Sequence, residues 1–342
     1  MKISSLFQRF VPVFLLIAAI SFSGWGLYMA DLREGTPEKA GSEIEVLITP
    51  GQSAGDVASE FERLGIVTKS RNFSKWMVKL GIDRRIKPGI YKIHAGRAKE
   101  VALEFSQAVP DVLDLRILPG ALFDEIASAF GRSDGEFLLH EALRETENFP
   151  EKLRPLLPEK ARERVVLLAP DTYAIPPGED CANWLVRIAS KAWQRRHGEN
   201  IPANFTSADV ARGGILASII QKEALVDSDR PTIAGVFKNR LERDMPLQSC
   251  ATVVYAWKLR GVKITNVSFE DVKIESPFNT YIHKGLPPEN IGVPSENSWN
   301  AALKPEQTEM LFFVASSDGR HIFSRTYREH LDAQRRIKKG RL

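Results

Sequence analysis

Sulfur and metal chemistry have little to work with in this sequence. Among 342 residues only Cys181 and Cys250 are cysteines, 69 positions apart, and the six histidines are scattered. No HExxH or CxxC pattern occurs, so no metal site is expected. There is no P-loop, no GxGxxG and no GxSxG, which leaves nucleotide and acyl-transfer chemistry without support, and no cofactor is expected. Charge of one sign is also scarce. The net charge is +4, and part of that excess lies in the tail "RRIKKGRL". Basic and aromatic residues are not interleaved as a nucleic-acid surface requires, so no nucleic acid is expected as a partner. The small excess suits an anionic polymer or a membrane surface equally. In an oxidising compartment the two cysteines could pair, but their spacing does not decide it.

One long apolar run is present. From Phe10 to Ala30 there are 21 residues without charge, behind Lys2 and Arg9 and ahead of Asp31. That length can cross a bilayer as a helix, and the basic flank predicts a cytoplasmic N-terminus with the bulk of the chain outside. The run is long for a signal-peptide core, and no A-x-A-like site follows it, so an uncleaved anchor is the reading. The expected order is a cytoplasmic segment 1–9, a transmembrane helix 10–30 and a Gly- and Pro-bearing linker 31–43.

Beyond the linker the patterning is α+β. Ile44, Val46 and Ile48 alternate with Glu45 and Leu47 as a strand does. Pro50-Gly51 turns the chain, and Ser53 with Asp56 three residues on forms an approximate capping box. Val57, Phe61 and Leu64 make a helical stripe; Phe73, Trp76, Met77 and Leu80 make another. "KPGIYKI" reads as a returning strand. Residues 44–61 align without a gap to 113–130, with Ile48, Pro50, Gly51, Ala58, Ser59 and Phe61 identical between the copies. The strand–turn–helix unit therefore recurs across 44–130. Residues 131–164 read as a charged helical connector. "VVLLAPDTYAIPPGED" reads as an apolar strand ended by a turn, and "CANWLVRIASKAWQRR" as a helix. A further helix or two cover "TSADVARGGILASIIQKEA", capped by Thr206 or Ser207. Another helix covers "RPTIAGVFKNRLERDM". Residues 246–300 read as ordered loops. "MLFFVASSDGRHIFS" reads as a hairpin turned at Ser317-Asp318-Gly319.

Within this pattern Glu223 stands out. In "ILASIIQKEAL" it follows Leu216, Ile219 and Ile220 on one helical face and so sits at the edge of an apolar stripe. A carboxylate there is costly unless it is paired or protonated. Periodicity alone leaves both outcomes open: a rim glutamate paired with Arg230 or another base, or a functional acid. Asp227 and Asp229 follow closely. If the helix continues, Asp227 stacks one turn beyond Glu223 rather than facing it across a cleft.

Six segments in order resemble the YceG-like, or MltG, family of endolytic murein transglycosylases: "PDTYAIP" (170–176), "LASIIQKEA" (216–224), "VFKNRL" (236–241), "MPLQSCATVVYA" (245–256), "SPFNTYIHKGLPPENIGVP" (276–294) and "FFVASSDGRHIFSRTYREH" (312–330). The resemblance implies a LysM-like subdomain across 44–130, a mixed α/β catalytic domain over 165–335 and a basic tail 336–342. It implies cleavage of the bond between N-acetylmuramic acid and N-acetylglucosamine inside peptidoglycan strands. The muramic acid's own C6 hydroxyl is then the nucleophile, leaving 1,6-anhydro ends, in the service of wall assembly and chain termination. The family's acid matches Glu223. Gln248, Ser276, Asn279 and Tyr281 match positions that can bind the sugars, while Asn239 and Arg240 read as braces. The implied setting is the extracytoplasmic side of a bacterial inner membrane, with peptidoglycan strands as substrate and peptidoglycan synthases as further partners. Two positions depart from the pattern: Val165-Val166 where the family often has Glu-Gly, and Cys250 where it often has Asp. The alternative from another class is a non-catalytic glycan-binding scaffold, which has no need of an acid at Glu223.

Overall fold

The computed structural model describes Trp25, Gly26, Tyr28, Met29, Arg33 and residues 35–178 and 180–340. Two compact units divide the chain: Met1–Leu113 with Ala174–Asp180, and Asp114–Tyr173 with Cys181–Leu342. Its sheets are small. In the described residues β1 (Glu43–Ile48) pairs with β2 (Gly89–His94), β3 (Leu113–Ile117) with β4 (Asp171–Ile175), and β5 (Phe312–Ala315) with β6 (His321–Ser324).

In the first unit β1 and β2 run antiparallel, from Glu43 opposite His94 to Ile48 opposite Gly89. Alternation turns Val46 and Ile48 inward. The helices α1 (Ala54–Arg63), α2 (Ser70–Lys79) and α3 (Ala98–Gln107) supply the rest of the core. The Ser53 cap forms as the sequence implies: the Asp56 N–H donates to Ser53 Oγ at 3.2 Å, and the Ser53 N–H donates to Asp56 Oδ2 at 2.8 Å. The core is aromatic. Phe61 stacks on Phe73 at 4.7 Å between ring centroids, and Phe105 meets Phe61 edge-on at 5.3 Å. Truncating one such ring to alanine costs about 3–5 kcal/mol. Gly89 has φ +142, and a Cβ there would lie 2.5 Å from Pro110 Cβ, so only glycine lets β2 pass this segment.

The second unit is mainly helical. It contains α4 (Phe123–Ser128), α5 (Gly135–Arg144), α6 (Cys181–His197), α7 (Ser207–Glu223), α8 (Arg230–Glu242), α9 (Cys250–Leu259), α10 (Glu296–Leu303) and α11 (Tyr327–Lys338). Thr206 caps α7, with Asp209 completing the box. Ile215, Ala217, Ser218, Ile219 and Ile220 are all buried, so α7 is apolar on most of its circumference and runs through the core. Gly214 makes this packing feasible: a Cβ there would lie 2.6 Å from Val166 Cγ2. Trp299 on α10 closes the same region, its indole N–H donating to the Val166 carbonyl at 3.0 Å.

Three expectations are corrected. The first is the transmembrane helix over 10–30, together with the single-pass inner-membrane location that depended on it. Among the described residues no helix is long and apolar enough to cross a membrane. A span needs about 20 predominantly apolar residues, whereas α6 and α7 have 17 each and carry charges such as Arg187, Lys191, Arg212 and Lys222. Most of the 10–30 segment lies outside the described residues. Secondly, Val165–Leu167 belong to a 3-10 turn (Ala161–Leu167), and the strand begins later, at Asp171. Val165 to Ala169 are buried without alternation, and the Leu168 N–H bonds locally to the Val165 carbonyl, so no strand partner is required. Thirdly, the stretch 246–300 carries two helices, α9 and α10, where loops are expected. Thr252, Val253 and Ala256 bury one helical face of α9, and that tertiary burial outweighs its β-branched, aromatic composition.

Candidate active site

Glu223 is the last residue of α7, and Ala224 leaves the helix with an extended backbone, ψ 122°. The apolar row that carries Glu223 thus ends where the chain turns out of the core. Its carboxylate is half-buried. Ser249 donates its hydroxyl to Glu223 Oε1, and the Ala251 N–H lies 3.5 Å from the same oxygen. Both neighbours come from the start of α9. Burial pushes the Glu223 carboxyl above its ordinary value, against the pull of the Ser249 and Ala251 donors and of His321 and Arg240. Among the described residues Glu223 has no ion pair. Arg230, the cation that a simple surface pairing would need, is bound to Asp227 at 2.7 Å.

The loops that hold Ser249 are braced from beneath. Buried Arg240 donates to the carbonyls of Leu311 at 2.7 Å and Leu247 at 2.8 Å. Asn239 donates to the carbonyls of Thr308 and Met310. The Ser249 N–H donates to Thr280 Oγ1 at 3.0 Å, and Thr252 and Thr280 share a 2.9 Å hydroxyl contact. These bonds fix the hydroxyl that faces Glu223 to a buried polar network.

The other sequence-derived site residues divide. Gln248 is exposed, adjoins Ser249, and holds φ +51, a left-handed conformation uncommon outside glycine. Its N–H donates to the Thr280 carbonyl at 3.0 Å. Tyr281 is half-buried, with its hydroxyl 3.1 Å from Cys250 Sγ. Burial raises its pKa, and Cys250 and the nearby Glu223 charge add to the rise. So Gln248 and Tyr281 lie on the segments that surround Glu223. Asn279 is fully buried: its amide donates to the carbonyls of Val272 and Ile274, and its carbonyl accepts from the Tyr281 N–H. Ser276 Oγ accepts from the Phe278 N–H at 3.3 Å. Both side chains shape the loop on which Tyr281 rides. The geometry also brings in Ser249 and the buried pair Asp229–His321, whose Oδ2 and Nδ1 are 3.0 Å apart. Ser249 lies in the "LQSC" stretch, but its partner is 26 residues away and nothing local announces it. Cys181 and Cys250 are free thiols.

A single carboxyl, raised by burial and held by neutral donors on one oxygen, has the chemistry to give up a proton and take one back. Residues 46–336 match the YceG-like family, and the chain belongs to it. It is 27% identical over 325 residues to the endolytic murein transglycosylase of Bacillus subtilis (strain 168), covering 90% of this chain and 88% of that one. It is also 27% identical over 358 residues to the endolytic murein transglycosylase of Streptococcus pneumoniae serotype 2 (strain D39), covering 94% of this chain and 64% of that one. A crystal structure of a YceG-like protein from Listeria monocytogenes superposes with a TM-score of 0.52 at 26% identity, over 86% of this chain and 100% of that one.

Proposed function

We propose that Glu223 is the acid and then the base of an endolytic peptidoglycan transglycosylase. The chain is a peptidoglycan lytic transglycosylase, a lyase that cleaves within glycan strands, as its named relatives are. The observation that carries the role of Glu223 is the combination of a raised carboxyl with donors confined to Oε1. The glycosidic oxygen is a poor leaving group and must be protonated as its bond to the anomeric carbon breaks. Burial favours the protonated form of this carboxyl, which can supply that proton from Oε2 while Ser249 steadies Oε1. The carboxylate left behind then takes the proton of the muramic acid C6 hydroxyl as that oxygen closes on the anomeric carbon. No water is consumed, and a 1,6-anhydro end remains. Most glycosidases need a second carboxylate as nucleophile or base; here the substrate provides the nucleophile, so one suffices. Asp227 and Asp229 are engaged with Arg230 and His321.

Gln248 and Tyr281 are the residues we assign to sugar contacts, with Ser276 and Asn279 shaping the loop that carries Tyr281. Residues 44–130 form a LysM-like region that holds glycan weakly, and the activity serves wall assembly and chain termination alongside peptidoglycan synthases. Digestion of purified peptidoglycan with mass analysis tests the reading. Wild-type protein should release fragments lighter than hydrolytic products by one water. Fragments with reducing ends would make water the nucleophile and overturn the mechanism.

A further inference from the structure

Immediately beside Glu223, Lys222 points into a separate space. A cavity of about 650 Å³ is lined by Lys222, Ala251, Tyr255, Lys258, Lys263 and Ile291 among others. Its volume falls in the range of small-ligand sites, about 300–1,000 Å³. Ala251 joins it to the active site: the residue lines the cavity, and its N–H faces Glu223 Oε1. The walls between the charges are apolar, built from Leu122, Val254, Val262, Ile264 and Ile291.

The charges on these walls are unequally engaged. Lys258 is bound to Asp124 and Glu125, at 3.1 and 3.3 Å. Glu125 is also occupied by the Leu122 N–H at 2.9 Å, which it caps. Lys222 and Lys263 have no ion-pair partner among the described residues. Lys222 is exposed overall, and partial desolvation holds its ammonium below its ordinary pKa, with Glu125 opposing and Lys258 reinforcing the shift. Gly120, at φ +82, passes so close that a Cβ there would lie 3.1 Å from Lys222 Nζ. Gly120 therefore runs alongside this ammonium, which has no hydrogen-bond or ion-pair partner among the described residues.

We infer that this cavity is a subsite for a carboxylate-bearing peptide appendage of the glycan, with Lys222 and Lys263 as the anion-binding groups. The inference rests on the transglycosylase reading of Glu223. Within a peptidoglycan strand, the muramic acid bears a short peptide on its lactyl group, and that peptide presents carboxylates on an apolar backbone. Two ammonium groups without ion-pair partners, set among apolar walls, suit a ligand that carries carboxylates on an apolar backbone. Because Ala251 lines the cavity and its N–H faces Glu223, a peptide seated here places its own muramic acid at the acid, and the subsite sets which bond in the strand is cut.

The test compares cleavage of strands that keep their peptides with cleavage of strands stripped by an amidase, for wild type and for the Lys222→Met/Lys263→Met double variant. Wild type should cleave the peptide-bearing strands about tenfold faster, the scale of a hydrogen bond to a charged group. The double variant should lose that preference. Equal rates on both substrates by wild type, or an unchanged ratio in the variant, would overturn the subsite. Binding keeps the question answerable should the variant fold poorly. Full-length Glu223→Gln protein should bind N-acetylmuramoyl dipeptide with free carboxylates about tenfold more tightly than its amidated form. Equal affinities, or displacement by inorganic pyrophosphate at lower concentration than by the dipeptide, would also overturn it. One-water-lighter products from either strand preparation test the Glu223 chemistry separately, so the two readings fail independently.

Discussion

Ser249 donates its hydroxyl to Glu223 Oε1 from the start of α9, across 26 residues of sequence. A donor to a carboxylate favours the charged form, so this bond lowers the Glu223 pKa while burial raises it. Ser249→Ala removes the lowering effect. The upper limb of the pH profile of kcat/KM, where the acid loses its proton, should therefore move to higher pH. The rate at the optimum should fall roughly tenfold as the carboxyl loses its fixed orientation. A pH–rate series on peptidoglycan measures both, and an upper limb displaced downwards would contradict the assignment.

Glu223→Gln keeps the shape and the Ser249 contact but cannot supply a proton. General acid–base catalysis is worth about 10²–10⁴-fold, and one residue acting in both halves of the reaction should place the loss at the upper end. Retention on insoluble peptidoglycan should persist, because the amide still fills the site. The catalytic assignment does not survive a Glu223→Gln variant with near-normal turnover.

The same substitution has a stability signature. Glu223 has a folded-state pKa raised above its unfolded value. Its protonated form therefore favours the fold below the unfolded pKa, and that contribution is lost as pH rises through the folded pKa. Glutamine does not titrate. Glu223→Gln should thus raise Tm relative to wild type at neutral pH, and the gain should shrink as pH falls through the folded pKa and be gone by about 4.3, the ordinary glutamate value. Thermal unfolding at several pH values checks this; a difference independent of pH would mean that Glu223 is not desolvated.

What the sequence could and could not disclose follows from interaction range. The Ser53 and Thr206 caps, the alternation within β1 and the β5–β6 hairpin rest on local chemistry within a few residues, and the alternation and cap patterns are visible in the string. Glu223 was legible as an anomaly for the same reason: its apolar neighbours are three and four residues away. Its partners were not. Ser249 and Ala251 arrive from α9, and α9 itself reads as part of an ordered loop until Thr252, Val253 and Ala256 are seen buried on one face. The place where α7 stops was equally hidden. Asp227 does not stack on Glu223 because Ala224 is extended, and Asp227 instead opens a 3-10 turn and binds Arg230 three residues on.

The aspartates after Glu223 should therefore prove structural. Asp227→Asn weakens the bond to Arg230, whose guanidinium is buried and also donates to Ser298 at 2.7 Å. Losing the charged partner of a mostly buried arginine should cost about 1–3 kcal/mol in unfolding experiments, while most of the turnover remains. A large fall in kcat with unchanged stability would instead give Asp227 a part in the chemistry.

Asn279 and Gln248 separate loop shape from sugar contact. Asn279 is wholly buried, and three bonds tie it to Val272, Ile274 and Tyr281. Asn279→Ala would leave two carbonyls and one N–H without their partner in the interior, at about 1–3 kcal/mol for each group left unsatisfied. A clear drop in Tm is the expected outcome, with activity falling only in step with the folded fraction. Gln248 is exposed beside Ser249; its N–H holds the loop through the Thr280 carbonyl at 3.0 Å, while its side-chain oxygen accepts only a long 3.4 Å bond from Arg240 Nη1. Gln248→Ala should leave Tm nearly unchanged and raise KM about tenfold, the scale of a lost side-chain contact to a polar ligand. Unfolding curves and initial rates on the two variants should thus move in opposite channels. If Asn279→Ala raises KM without loss of stability, while Gln248→Ala changes neither quantity, the sugar contact lies on the 276–281 loop and the assignment of Gln248 is wrong.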